Sequence, residues 1–324
     1  MSDKPKIGIY WCSSCGGCEE AIVDLNETIL DVVAAVDIVF WPVAMDFKYD
    51  DVRNLKDQEL LASFINGGIR LSEQEEIVKL LRKKSQLVFA FGSCAVMGGV
   101  PGLANMTNRE GVFRRVYQEI ESNDNPENIV PQTEFLLENK YDLELPEFYN
   151  SVYPLDQVID VDYYIPGCAP APDTIKDAFK AILDGKLPEK GSVLSPSKSL
   201  CDTCPRKDTK PDRIDIEKFV EPHQYDKLDD GRCFLEAGII CMGPATRGGC
   251  GERCINANMP CRGCYGAPDN VKDQGLAMLN ALASIIKPNE ETDIPKVIET
   301  LPDLISPLYM YGLPSSILFR KRID

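Results

Sequence analysis

Histidine is nearly absent from this 324-residue chain: it occurs once, as His223, in the polar stretch VEPHQYDK, where it reads as a loop residue. Basic charge is also short, with 35 Lys and Arg against 51 Asp and Glu, a formal net charge of -16. Such a surface repels phosphate backbones and anionic lipid, which excludes nucleic acid and membrane surfaces as natural partners. No stretch reaches the roughly 18 uncharged apolar residues that a membrane span requires. The chain starts MSDKPKIGIYW and enters a strand-like run without a basic n-region, an apolar h-region or a twin-arginine signal, so the cytoplasm is the expected address. Internal repeats and low-complexity tracts are lacking as well.

What is plentiful is cysteine: thirteen in all. In a reducing compartment these are not expected to pair as disulfides, and an odd total leaves one over in any case. A chain that is 44% hydrophobic can bury a core without cross-links, and its length suggests two domains at roughly 150 residues each. Metal or cluster ligation is therefore the leading explanation for most of the thiols.

Over residues 1–185 short apolar runs alternate with amphipathic stretches, the signature of a parallel α/β sheet. Strands are expected at 7–11, 36–41, 87–91 and 161–165. A helix is expected over 19–30, with Ile22, Leu25 and Ile29 on one face. Ser72 and Glu75 suggest a capping box for a helix that buries Ile77, Leu80 and Leu81. Asp173 suggests the cap of a helix carrying Ile175, Ala178, Phe179 and Ile182 and stopping at Gly185. Residues 121–160 are polar and weakly periodic and read as an insertion. From 186 to 324 the character changes: 186–230 is charged and rich in proline, 231–268 is dense in Cys and Gly, 271–286 is briefly helical, and the tail reads as extended. A region with so little periodic apolar sequence is expected to owe its fold to bound metal.

The N-terminal thiols follow predicted strands: Cys12, Cys15 and Cys18 after the first, Cys94 after 87–91, and Cys168 after 161–165. In an open parallel sheet the carboxyl ends of the strands line one crevice, so these distant residues converge. Glycines and prolines in SCGGCEE, GSCAVMGG and PGCAPAP let the backbone bend closely around a compact ligand and offer amide donors to its sulfides. Thiolates without histidine suit zinc or an iron-sulfur cubane, and one close pair joined by remote single cysteines favours the cluster. Farther on come Cys201-x2-Cys204, Cys233, Cys241 and Cys250-x3-Cys254-x6-Cys261-x2-Cys264, eight thiols that divide into two sets of four. Two zinc ions are the plain alternative.

SCGGCEE, GSCAVMGGVPGLAN, PGCAPAP and CFLEAGIICMGPATRGGCGERCINANMPCRGCYG together resemble the small subunits of nickel-iron hydrogenases. Within that family the resemblance is to the cytoplasmic, methyl-viologen-reducing (F420-non-reducing) type found beside heterodisulfide reductases. It covers nearly the whole chain. It implies a flavodoxin-like domain over 1–185 with a proximal 4Fe-4S cluster on Cys15, Cys18, Cys94 and Cys168. A smaller irregular iron-sulfur domain over 186–324 then has a medial 4Fe-4S cluster on Cys250, Cys254, Cys261 and Cys264 and a distal one on Cys201, Cys204, Cys233 and Cys241. Cys12 is left over. Periplasmic relatives have a histidine at the first distal position and often no thiol corresponding to Cys254; the cysteines here imply three 4Fe-4S clusters.

The resemblance also implies that this chain conducts electrons and does not itself split hydrogen, a task of the large subunit. The CDTC and CRGC pairs lack that subunit's flanking Asp-Pro and downstream His. Glu19 and Glu20 could sit near a proton route at the subunit interface, but first-turn acids also favour a helix N-terminus. Further partners that the resemblance implies are a 2Fe-2S subunit and a heterodisulfide reductase flavoprotein. Rival readings are the small subunit of an F420-reducing hydrogenase, a quinone-reducing respiratory relative with one cluster, and a non-redox zinc-binding scaffold.

Overall fold

A computed structural model describes residues 4–286, 294–301 and 303–317. Its strands are β1 (Lys6–Trp11), β2 (Asp37–Phe40), β3 (Leu60–Asn66), β4 (Ile69–Leu71), β5 (Ser85–Phe91), β6 (Glu134–Leu137), β7 (Tyr141–Glu144), β8 (Phe148–Tyr153) and β9 (Tyr163–Ile165). Five of them form one parallel sheet in the order β2-β1-β3-β5-β9. Counting only its own strands, that is the 2-1-3-4-5 order of flavodoxin-like sheets. One register row crosses it from Ile9 to Phe64 to Phe89 to Tyr163. The Phe64 and Phe89 rings stack at 4.9 Å and those of Phe89 and Tyr163 at 5.3 Å.

Because both faces are covered, the strands are apolar on both sides. On one face Ile7, Ile9, Phe64 and Phe89 pack under the helices α1 (Gly17–Val23), α2 (Thr28–Ala35) and, later in the chain, Pro172–Leu183. On the other, Tyr10, Ile65, Val88 and Ala90 pack under α3 (Tyr49–Arg53) and α4 (Ser72–Lys84). Next along the chain are α5 (Ser93–Met97), α6 (Arg109–Phe113) and the helix α7 at Pro172–Leu183 already mentioned, whose buried stripe is Ile175, Ala178, Phe179 and Ile182 as its spacing predicts.

Several local expectations are corrected. The helix expected over 19–30 is broken into α1 and α2, because Asn26 takes a left-handed conformation with φ 52° and its side chain bonds the Asp24 carbonyl. Ser72 and Glu75 do not form the cap of α4. Gln74 reaches back instead, its Oε1 accepting from the Arg70 and Leu71 amides, while the Ser72 hydroxyl accepts from the Glu147 amide. Val78 takes the buried place expected for Leu80, which is half-buried. Asp173 makes no cap either; Pro172, whose missing N–H costs nothing in a first turn, opens α7. Within 121–160, β6 and β7 form an exposed hairpin, whereas β8 pairs with β4 and Leu155 is fully buried.

Beyond residue 199 a separate apolar cluster gathers Leu200, Phe219, Phe234, Ile239 and Met242 with Met278 and Leu282. Its helices are short apart from α9 (Gln274–Ile285): α8 (Arg253–Asn256), α10 (Ile294–Glu299) and α11 (Ile305–Tyr309). The last two are helical where an extended tail is expected; residues 287–293, 302 and 318–324 of that tail lie outside the described residues.

Candidate iron-sulfur centre

Cys15 and Cys18 follow β1, Cys94 lies in the first turn of α5 just after β5, and Cys168 follows β9, all at the carboxyl edge of the sheet. Burial, then the nearby Cys94, Cys168 and Cys15 thiols, push the Cys18 thiol well above the ordinary range. Cys94 is pushed up to about 12 by burial and by Cys168 and Cys15. The four thiols are thus mutual neighbours that resist ionising together. Glycine keeps the space beside them open. A Cβ on Gly92 would collide with the Cys18 sulfur and one on Gly99 with the Cys94 sulfur, and both glycines have positive φ. The Val100 amide donates to Cys94, and the Gly17 amide to Cys15 at 3.4 Å.

Cys12 stands apart. It is buried on the opposite face of the sheet, among Tyr10, Phe40 and Ile65, and burial alone raises its thiol. Glu19, a proton-route residue or a first-turn acid on the sequence, opens α1 and is 5% exposed, accepting hydrogen bonds from Trp41 Nε1 and, at 2.5 Å, Asn66 Nδ2. Burial raises its carboxyl despite those donors. It ties β2 and β3 to the first cysteine loop.

Cys250, Cys254, Cys261 and Cys264 border a cavity of about 310 Å3 that also reaches Cys168 and Glu20. Cys261 and Cys264 are each pushed up to about 12, first by burial and then by neighbouring thiols. Their sulfurs accept from backbone amides: Cys250 from Glu252 and Arg253, Cys261 from Gly263.

Cys201, Cys204 and Cys233 are close neighbours, with Cys201 pushed up to about 11 by burial. The Cys201 and Cys241 sulfurs both face Gly243, where a Cβ would stand 3.1 and 3.6 Å from them. Cys241 also lies against the preceding set, accepting from the Cys261 amide at 3.3 Å. Among the described residues, no three His, Cys, Asp or Glu side chains converge at the spacing of a single metal ion.

Two buried arginines that hold these loops escaped the sequence reading. Arg206 bonds the Arg232 and Leu228 carbonyls and Asn258, and lies 4.0 Å over the Phe234 ring. Arg247 bonds the Ala267 and Ser195 carbonyls and pairs with Asp269. Arg206 follows CDTCP directly, and that position beside a thiol pair was the available signal. His223 is exposed in a short turn, Pro222–Gln224.

Residues 15–182 match the family described as NADH ubiquinone oxidoreductase, 20 Kd subunit. Over 318 residues, 98% of each chain, the protein is 38% identical to an F420-non-reducing hydrogenase iron-sulfur subunit of Archaeoglobus profundus. It is 36% identical to an F420-non-reducing hydrogenase subunit of Methanothermobacter thermautotrophicus, over 99% of this chain and 98% of that one. The recombinant [NiFeSe] hydrogenase of Desulfovibrio vulgaris Hildenborough shares the fold, with a TM-score of 0.53 and 18% identity over 83% of this chain and 95% of the other. No helix among the described residues is long and apolar enough to cross a membrane. The chain belongs to the hydrogenase small-subunit family, in its F420-non-reducing branch, and is a subunit of an oxidoreductase.

Proposed function

We propose that this chain carries three 4Fe-4S clusters and conducts electrons between the hydrogen-activating site of a large subunit and an external acceptor. The proximal cluster is held by Cys15, Cys18, Cys94 and Cys168, the medial by Cys250, Cys254, Cys261 and Cys264, and the distal by Cys201, Cys204, Cys233 and Cys241. The first belongs to an α/β unit over 1–185 and the others to a unit over 186–324.

The observation that carries this reading is the linear order of the thiol sets. Cys168 of the proximal set touches Cys264 of the medial set, and Cys261 of the medial set touches Cys241 of the distal set. Three sets in a row suit a relay. The clusters supply one-electron storage; the chain supplies thiolates, amide donors to sulfur and burial, which together set potentials. Metal analysis of the anaerobically purified complex tests it: about twelve iron atoms and matching acid-labile sulfide are expected, and stoichiometric zinc with little iron would sink it.

The large subunit covers the first set, where Trp11, Val100 and Met106 leave apolar surface exposed. The end bearing Cys201 and Cys204 faces the next carrier, a 2Fe-2S subunit linked to a heterodisulfide reductase flavoprotein, in the cytoplasm. Cross-links from residues 98–105 to the large subunit, and from the Cys201 region to the acceptor, are expected; the reverse pattern overturns the proposed direction.

A further inference from the structure

We infer that Tyr265 is a positioning residue whose hydroxyl fixes the proximal thiol set against the medial set. The inference rests on the cluster assignment just made and concerns how two of those sites are held together.

Two loops grip Cys264. The Cys168 amide donates to its sulfur, and the Ser93 hydroxyl donates to its carbonyl at 2.6 Å. Beside it, Tyr265 is 3% exposed and its hydroxyl has two partners, the Ala171 amide at 2.9 Å and Thr174 Oγ1 at 3.0 Å. Thr174 Oγ1 also lies 3.3 Å from the Gly249 carbonyl.

The direction of every bond follows from chemistry. An amide can only donate, so the phenol oxygen accepts from Ala171. A carbonyl can only accept, so the threonine proton goes to Gly249. The phenol proton is left for Thr174. One directed chain therefore runs from Ala171, through Tyr265 and Thr174, to Gly249. Its stations lie three residues after Cys168, one after Cys264, at the first turn of α7, and one before Cys250. Ala171, Tyr265 and Thr174 are buried and Gly249 is exposed, so removing the Tyr265 or Thr174 hydroxyl leaves a buried donor without its acceptor. Phenylalanine at 265 would fill the same space and lace nothing. A tyrosine there is explained by its oxygen.

The lacing sets the distance between the Cys168 and Cys264 sites, so its loss should be read in how those sites communicate. Y265F, T174V and T174S are compared in the anaerobically purified complex. Iron content, the magnetic interaction between the proximal and medial sites by electron paramagnetic resonance, and intramolecular electron exchange after a reductive pulse are measured. Y265F and T174V are expected to keep their iron, show a weakened interaction and exchange electrons about tenfold more slowly, the scale on which outer hydrogen-bond partners of metal ligands act. T174S keeps the hydroxyl and should match the parent.

If both Y265F and T174V melt earlier while interaction and exchange stay unchanged, the role is structural only and the inference falls. Should Y265F fail to take up iron, T174V decides by the same readings. Deuterium exchange at the Ala171 amide, expected to accelerate in Y265F, reports the lacing without reference to iron. A parent protein free of iron would thus remove the cluster assignment, whereas an unchanged Ala171 amide would remove the lacing.

Discussion

Residues 6–183 and residues 199–266 both gather thiols into sets, yet they are built in opposite ways. In the first region the sheet and its helices bury two large apolar clusters, and of Cys15, Cys18, Cys94 and Cys168 only Cys18 belongs to either. The thiols stand at the rim of a scaffold that is complete without them. In the second region regular elements are scarce, Cys241 and Cys261 are members of the apolar cluster, and Cys204, Cys233 and Cys250 pack against it. There the thiols are part of the scaffold. A bound metal that satisfies them contributes directly to folding in the second region and much less in the first.

The largest effect that can break this contrast is removal of iron. Chelation under reducing conditions should leave backbone amides of β3 and β5 protected from deuterium exchange while those of 201–264 exchange freely. Equal loss in both regions would mean that the sheet also depends on its cluster. Next in size is Phe64→Ala, which removes a ring stacked on Phe89 and set 4.9 Å from Phe179. It should cost about 3–5 kcal/mol in denaturant unfolding of the sheet region.

A more local change sharpens the comparison from the other side. Replacing Cys254 by Ala should yield a three-iron medial cluster of raised potential, visible as the paramagnetic signal of its oxidised form. The sheet should be undisturbed. The smallest effect is expected for Cys12→Ala: iron content unchanged and a stability loss of about 1 kcal/mol by thermal unfolding, because Cys12 packs in the core away from the other thiols. Loss of four irons in that variant would put Cys12 in the proximal set.

Most of the first site was legible because it follows from topology. β1, β5 and β9 announce themselves as apolar runs, and cysteines placed after parallel strands must meet at one edge. The separation of Cys12 was less visible, since three cysteines follow β1 and only the fold shows that Cys12 turns to the opposite face from Cys18. In the second region the spacing pointed to ligands but not to what holds them. Arg206 and Arg247 act through carbonyls of distant loops, and no local pattern records which carbonyl a guanidinium will find. The same holds for Tyr265, whose partners Ala171 and Thr174 lie more than ninety residues earlier in the chain. The helix expectations failed where one residue decided them: Asn26 for the break after α1, and Gln74, in place of Ser72 and Glu75, for the cap of α4.

The stretch around Tyr311 crosses back over the first site: the Gly99 amide donates to the Tyr311 carbonyl at 2.8 Å, Pro314 fills the space beside Gly98 and Gly102, and its carbonyl accepts from Gln157 at 3.0 Å. The wall beside Cys94 is therefore finished by some of the last described residues. During synthesis on the ribosome, Cys15, Cys18 and Cys94 emerge long before Pro314 does, and until then that flank of the site stays open. Vectorial translation thus leaves this flank unfinished until residues 311–314 fold against Gly98 and Gly102.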